Sequence, residues 1–131
     1  MLISARAIPY QRVELSPPWR ASGLPIVFHH GVGANHQLWA EWVLALAAHH
    51  ALVRFDMRGF GQAPPLTQGG GDLLGELIAD LLDVAGDEGR VHLVGESAGG
   101  TIALAAALRH PERVASADTS NGNVTFATFR S

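Results

Sequence analysis

Six consecutive residues, Gly95-Glu96-Ser97-Ala98-Gly99-Gly100, stand where an apolar run, Val91-His92-Leu93-Val94, passes straight into a stretch of small helix formers. A sharp strand-to-helix turn forces its central serine into a strained backbone conformation, and glycines two residues to either side, Gly95 and Gly99, remove the Cβ atoms that would collide there. The Ser97 hydroxyl is then projected from the carboxyl edge of a sheet, above a helix N-terminus that favours developing negative charge. These features suit a nucleophile that attacks a carbonyl carbon. An ordinary structural turn is the competing reading, and the strand before, the small-residue helix after and Gly100 favour the nucleophile.

Acyl transfer needs at least two hydrogen-bond donors aimed at the oxyanion, and a turn of this kind supplies one, the N–H of the residue after the serine. That donor is Ala98. A second segment, Phe28-His29-His30-Gly31-Val32-Gly33, ends another apolar run and leads through a loop toward Trp39 and Trp42. Its Val32 N–H is the expected second donor. The His30 side chain is read as a holder of this loop, through hydrogen bonds, and not as a proton-transfer group.

Composition narrows the chemistry. The chain has 131 residues, 47% hydrophobic and 16% charged, with a formal charge of −3. This is the profile of one soluble globular domain that can bury about two-thirds of its surface. There is no cysteine, and all nine basic residues are arginine. No lysine means no Walker-type phosphate lysine and no Schiff base; no cysteine means no disulfide, thiolate nucleophile or Cys-ligated zinc. The basic residues are scattered singly, so nucleic acid is not an expected partner. The amino-terminal residues lack a signal-peptide apolar stretch, and the longest apolar run, 102–108, is too short to span a membrane. The expected location is cytoplasmic. The adjacent pairs His29-His30 and His49-His50 point apart on regular elements, so no metal site is expected.

The elements that must position these residues alternate. Apolar runs at 25–29, 51–56 and 90–95 read as strands, with a further strand at 113–117. Helices are predicted over 36–49, 71–85 and 98–109, the last ending at His110-Pro111 because proline cannot continue a helix. In the first, Leu38, Trp39, Trp42, Val43, Leu46 and Ala47 share a face; in the second, Leu73, Leu74, Leu77, Ile78, Leu81 and Leu82 do so. Glu76, Asp80 and Asp83 then form an expected solvated acidic face. Residues 1–22, with a short strand near 11–15 and Ser16-Pro17-Pro18, read as an amino-terminal arm or edge hairpin, 23–120 as the core, and 121–131 as an irregular tail or hairpin cap. Gly69-Gly70-Gly71 reads as a loop. Asn123-Val124-Thr125 is a glycosylation sequon that carries no weight without a secretory signal. The βαβα alternation predicts an α/β fold with a parallel sheet.

Three motifs in order, His30-Gly31-Val32-Gly33 with Trp39 in the next helix, Asp56-Met57-Arg58-Gly59-Phe60-Gly61, and the Gly95 to Gly100 segment, make the chain resemble the amino-terminal half of an α/β-hydrolase-fold serine hydrolase of the esterase and lactonase type. The match covers roughly residues 24–120. The resemblance implies a three-layer, mostly parallel sheet with helices on both faces, truncated after the strand that follows the elbow helix. It implies Ser97 as nucleophile, Val32 and Ala98 as the oxyanion hole, Gly31, Gly33, Gly95 and Gly99 as motif glycines, no cofactor, and a small acyl substrate such as an ester or lactone. Gln62-Ala63 replaces the family's usual x-Ser after the second motif, a departure that touches one loop bond.

In that family the acid and the base follow the nucleophile. After Ser97 the chain offers Glu112, Asp118 and His110, and His110 closes the elbow helix at the end remote from the hydroxyl. Asp118 is carried as a candidate acid, a structural role being preferred. The triad histidine and acid are therefore expected to be missing from this chain, which reads as a fragment whose exposed edge strand invites self-association or a complementing chain. One alternative is a non-catalytic acyl-binding or interaction module. Another is a dinucleotide-binding domain built on Gly31-x-Gly33, against which His36 stands where the third glycine belongs.

Overall fold

The computed structural model describes all residues except 68–70, 88, 121–125 and 131, with backbone alone described at 120 and 126–130. Seven strands form one sheet in the order β1-β2-β4-β3-β5-β6-β7. They are β1 (Leu2–Ile3), β2 (Pro9–Val13), β3 (Gly23–His29), β4 (His50–Phe55), β5 (Val91–Glu96), β6 (Val114–Ser120) and β7 (Phe126–Arg130). β4, β3, β5 and β6 run parallel, while β1 and β2 at one edge and β7 at the other are antiparallel to their neighbours. Residues 126–130 are thus paired on β6, and the outer edges are β1 and β7. The sequon and Gly69-Gly70 lie outside the described residues.

Strand alternation divides the core into two layers. Val27, Val53, Phe55 and Leu93 face α2 (Leu73–Ala85) and α3 (Ala98–Arg109). Ile26, Phe28 and Leu52 face the opposite way, onto Trp39 and Ala47, with the Phe28 and Trp39 ring centroids 5.0 Å apart. Helices therefore cover both faces, as the βαβα pattern predicts. No helix among the described residues is long and apolar enough to cross a membrane.

α2 begins where Asp72 caps it, its carboxylate accepting the Gly75 N–H at 2.9 Å. α3 has the predicted bounds. Two expectations need correction. The helix expected over 36–49 is a 3-10 turn, His36–Trp39, followed by a short α1, Ala40–Leu46. It ends early because the Ala47 and Ala48 carbonyls accept from the Leu15 N–H and the Ser16 hydroxyl, and β4 starts at His50. Leu38 and Trp42, on the predicted apolar face, are 47% and 43% exposed.

The acidic face of α2 is not uniformly solvated either. Asp80 is 1% exposed and receives Arg58 through two hydrogen bonds of 2.9 Å, with Arg6 Nε at 2.8 Å. Glu76 accepts from Thr67 Oγ1, and Asp83 accepts the Arg6 N–H. The segment between β1 and β2 and the turn after β4 both fold over this face, and their two guanidinium groups neutralise Asp80 there.

Candidate active site

Ser97 links β5 to α3 with φ 56° and ψ −120°, a conformation that residues other than glycine rarely adopt. Although it occupies the N-cap position, its side chain makes no capping hydrogen bond. The residue is exposed, so the hydroxyl faces solvent. The flanking glycines carry out the steric role read from the motif. A Cβ on Gly95 would overlap the Gly99 and Gly100 backbone, and one on Gly99 would overlap the carbonyl oxygens of His29 and His30. α3 thereby packs directly on the carboxyl end of β3, beside the second motif.

Gly31 sits above the serine: a Cβ there would stand 3.1 Å from Ser97 Cβ and 2.5 Å from Glu96 Oε2. Two neighbours hold it. The Glu96 carboxylate accepts the Gly31 N–H at 3.0 Å. The His30 Nδ1–H is donated to the Gly31 carbonyl at 2.7 Å, while His30 Nε2 accepts the Met57 N–H at 2.8 Å. That second bond fixes the tautomer, since a ring nitrogen that accepts cannot also carry the proton. His30 is 0% exposed, and burial lowers its pKa from 6.5, outweighing its bond to the Gly31 carbonyl and the nearby Asp56 and Glu96 charges.

The orientation of Val32 N–H follows from the same contact. The Gly31 carbonyl and the Val32 N–H belong to one planar trans peptide, so anchoring the oxygen on His30 turns the N–H to the opposite side. Neither Val32 N–H nor Ala98 N–H donates to an acceptor among the described residues. Gly33 follows at φ 83°, a position that favours glycine.

The Asp56 motif is a brace at one side of this loop. Asp56 is 1% exposed; it accepts the His36 N–H at 2.8 Å, His36 Nδ1 at 2.7 Å and the Gln62 N–H at 3.0 Å. Burial pushes its carboxyl up, but these hydrogen bonds together hold it below the usual range. The Gln62 bond comes from the backbone and does not require the family's usual serine. A carboxylate this enclosed is closed to a ribose, and His36 is engaged in holding it, which counts against the dinucleotide reading.

The remaining titratable candidates lie elsewhere. Asp118 pairs with Val94 inside β6, short of the strand's end. Its neighbours Ala117 and Thr119 face α3, which turns Asp118 to the opposite face of the sheet. His110 closes α3 beside Glu112, at 3.4 Å. The ring nitrogens of His29, His30, His36, His50 and His92 hydrogen-bond to His30 O, to Gly31 O and Met57 N, to Asp56, to Leu24 O and to Ser116 Oγ respectively, and among the described residues no hydrogen bond joins a histidine ring to Ser97. The part of Glu96, the variable residue of its motif, has no signal in spacing or composition.

The family profile described as α/β hydrolase fold matches residues 25–129. The chain belongs to the α/β-hydrolase fold family. Over 98 residues this α/β hydrolase is 40% identical to the 2-hydroxymuconate semialdehyde hydrolase of Pseudomonas sp. (strain CF600), covering 71% of this chain and 34% of that protein. It is 35% identical over 92 residues to 3-oxoadipate enol-lactonase 1 of Acinetobacter baylyi, covering 70% and 34%. The crystal structure of the enol-lactonase from Burkholderia xenovorans superposes with a TM-score of 0.69 at 27% identity, over 82% of this chain and 40% of that one. The chain spans about a third of the length of the curated relatives it matches.

Proposed function

We propose that the chain carries the nucleophile and oxyanion hole of a serine hydrolase acting on an ester, lactone or related small acyl substrate. Ser97 Oγ adds to the carbonyl carbon as its proton passes to a general base; the tetrahedral oxyanion is met by the Val32 and Ala98 N–H groups. Collapse expels the alcohol, which takes up a proton, and leaves an acyl-Ser97 ester that water hydrolyses. The base and the acid are supplied from outside these 131 residues. The observation that carries this reading is the exposed Ser97 at φ 56°, ψ −120°, locked by Gly95 and Gly99 against the end of β3. The hydrolase and enol-lactonase names of its relatives support the substrate class.

The test is p-nitrophenyl acetate hydrolysis by the 131-residue chain and by Ser97→Ala. Without a base, a slow release above buffer is expected; direct acylation of Ser97 contributes a part that Ser97→Ala removes, while water attack assisted by the oxyanion hole survives it. An unchanged rate in Ser97→Ala contradicts the nucleophile. Rates equal to those of a full-length hydrolase, abolished by Ser97→Ala, contradict the external base. A stably folded chain with an inert serine favours the non-catalytic acyl-binding module.

A further inference from the structure

We infer that Glu96 is a positioning residue for the oxyanion hole, acting as a clamp on the Gly31 N–H that keeps the Gly31–Val32 peptide turned toward the substrate carbonyl. The inference rests on the reading of Ser97 as nucleophile and adds a role for the residue before it.

Glycine is required at position 31 because a Cβ would come within 2.5 Å of Glu96 Oε2 and 2.9 Å of Glu96 O. The absence of that Cβ also frees both flanking peptides to rotate. An oxyanion hole depends on one of them keeping its N–H aimed at a fixed point. His30 anchors the carbonyl side of Gly31 at 2.7 Å, and Glu96 anchors the N–H side at 3.0 Å. With both contacts the glycine is held from two directions; with one, the loop can pivot about the other. Glu96 is well placed for this, because the strained turn that exposes Ser97 fixes the preceding residue at the end of β5 with its side chain across from β3. The contribution is geometric. A carboxylate beside a developing oxyanion is electrostatically unfavourable, so the role of Glu96 lies in the bond it accepts and not in its charge.

Charge and geometry separate in a three-variant experiment on the full 131-residue chain, using the Ser97-dependent part of p-nitrophenyl acetate turnover and the assigned amide spectrum of Gly31. Glu96→Gln keeps an acceptor oxygen at the same reach, and its rate is expected to equal or exceed that of the parent. Glu96→Ala, and Glu96→Asp with its carboxylate drawn back by one methylene, are expected to lose roughly tenfold or more in kcat with KM little changed, the pattern of a contact felt in the transition state. The Gly31 amide proton should stay at its hydrogen-bonded shift in Glu96→Gln and move upfield in Glu96→Ala. If Glu96→Ala does not fold, the comparison of Glu96→Asp with Glu96→Gln carries the test. Equal losses in Glu96→Gln and Glu96→Ala overturn the clamp in favour of a charge role, and parental kinetics in Glu96→Ala or Glu96→Asp overturn it outright. Turnover unchanged by Ser97→Ala removes the nucleophile itself, an outcome distinct from either.

Discussion

One imidazole joins two loops: His30 donates Nδ1–H to the Gly31 carbonyl at 2.7 Å and accepts the Met57 N–H on Nε2 at 2.8 Å. The ends of β3 and β4 are therefore one hydrogen-bonded unit, and the loop above Ser97 is braced by the Asp56 turn. His30→Ala leaves two buried backbone groups without a partner. Each such loss costs about 1–3 kcal/mol, so urea unfolding is expected to show a fall of about 2–6 kcal/mol. A fall below about 1 kcal/mol would mean that the ring is not a brace.

Gly99 touches the carbonyl oxygens of His29 and His30 so closely that no side chain fits. Overpacking costs about 1–3 kcal/mol where neighbours can shift, and backbone carbonyls at a strand end shift little. Gly99→Ala is expected to lose about 3 kcal/mol in urea unfolding. A neutral Gly99→Ala would refute the tight seating of α3 on β3.

Asp80, with its side chain 2% exposed, holds Arg58 at 12% and Arg6 at 40%. Removing one partner of a buried pair costs about 3–5 kcal/mol. Asp80→Ala should approach the lower bound by the same measurement. Arg6→Ala, which removes the exposed partner, should cost less than about 1 kcal/mol. Equal effects of the two would place the pair in solvent.

Stability should also depend on pH through His29. Its ring is 1% exposed, and burial lowers its pKa from 6.5 to about 4 against the opposing hydrogen bond to His30 O. The unfolded chain takes up the proton near pH 6.5, whereas the folded chain resists until about pH 4. Full stability is therefore present above pH 6.5 and falls as pH drops toward 4, by about 1.4 kcal/mol per unit and about 3 kcal/mol in all. Asp56, also shifted down, loses its contribution only below its ordinary 3.8, outside that window. Urea midpoints at pH 7.5 and pH 5 should differ in the parent and differ less in His29→Asn, the remainder belonging to His30, whose pKa burial also lowers. A midpoint independent of pH would contradict the assignment.

Much of this architecture can be read without coordinates, for identifiable reasons. α3 has the predicted bounds because a glycine turn starts it and Pro111 stops it. Ser97, Gly95 and Gly99 are legible because a strained turn demands particular residue types at particular offsets. The early end of the 36–49 helix is not legible, because it is set by carbonyls of Ala47 and Ala48 drawn to the distant Leu15 and Ser16. Asp80 fails for a similar reason: helical periodicity places it on a polar face, and only the chain path shows that Arg6 and Arg58 cover that face. Glu96 occupies a position the motif leaves free, and its importance rests on a contact with Gly31, 65 residues earlier in the chain.

The most direct test of the account is to treat the folded chain with a fluorophosphonate and locate the adduct by peptide mass mapping. The expected result is a slow, single addition on Ser97 that is absent from Ser97→Ala. An adduct on another residue, or labelling undiminished in Ser97→Ala, would contradict the assignment of Ser97 as the nucleophile.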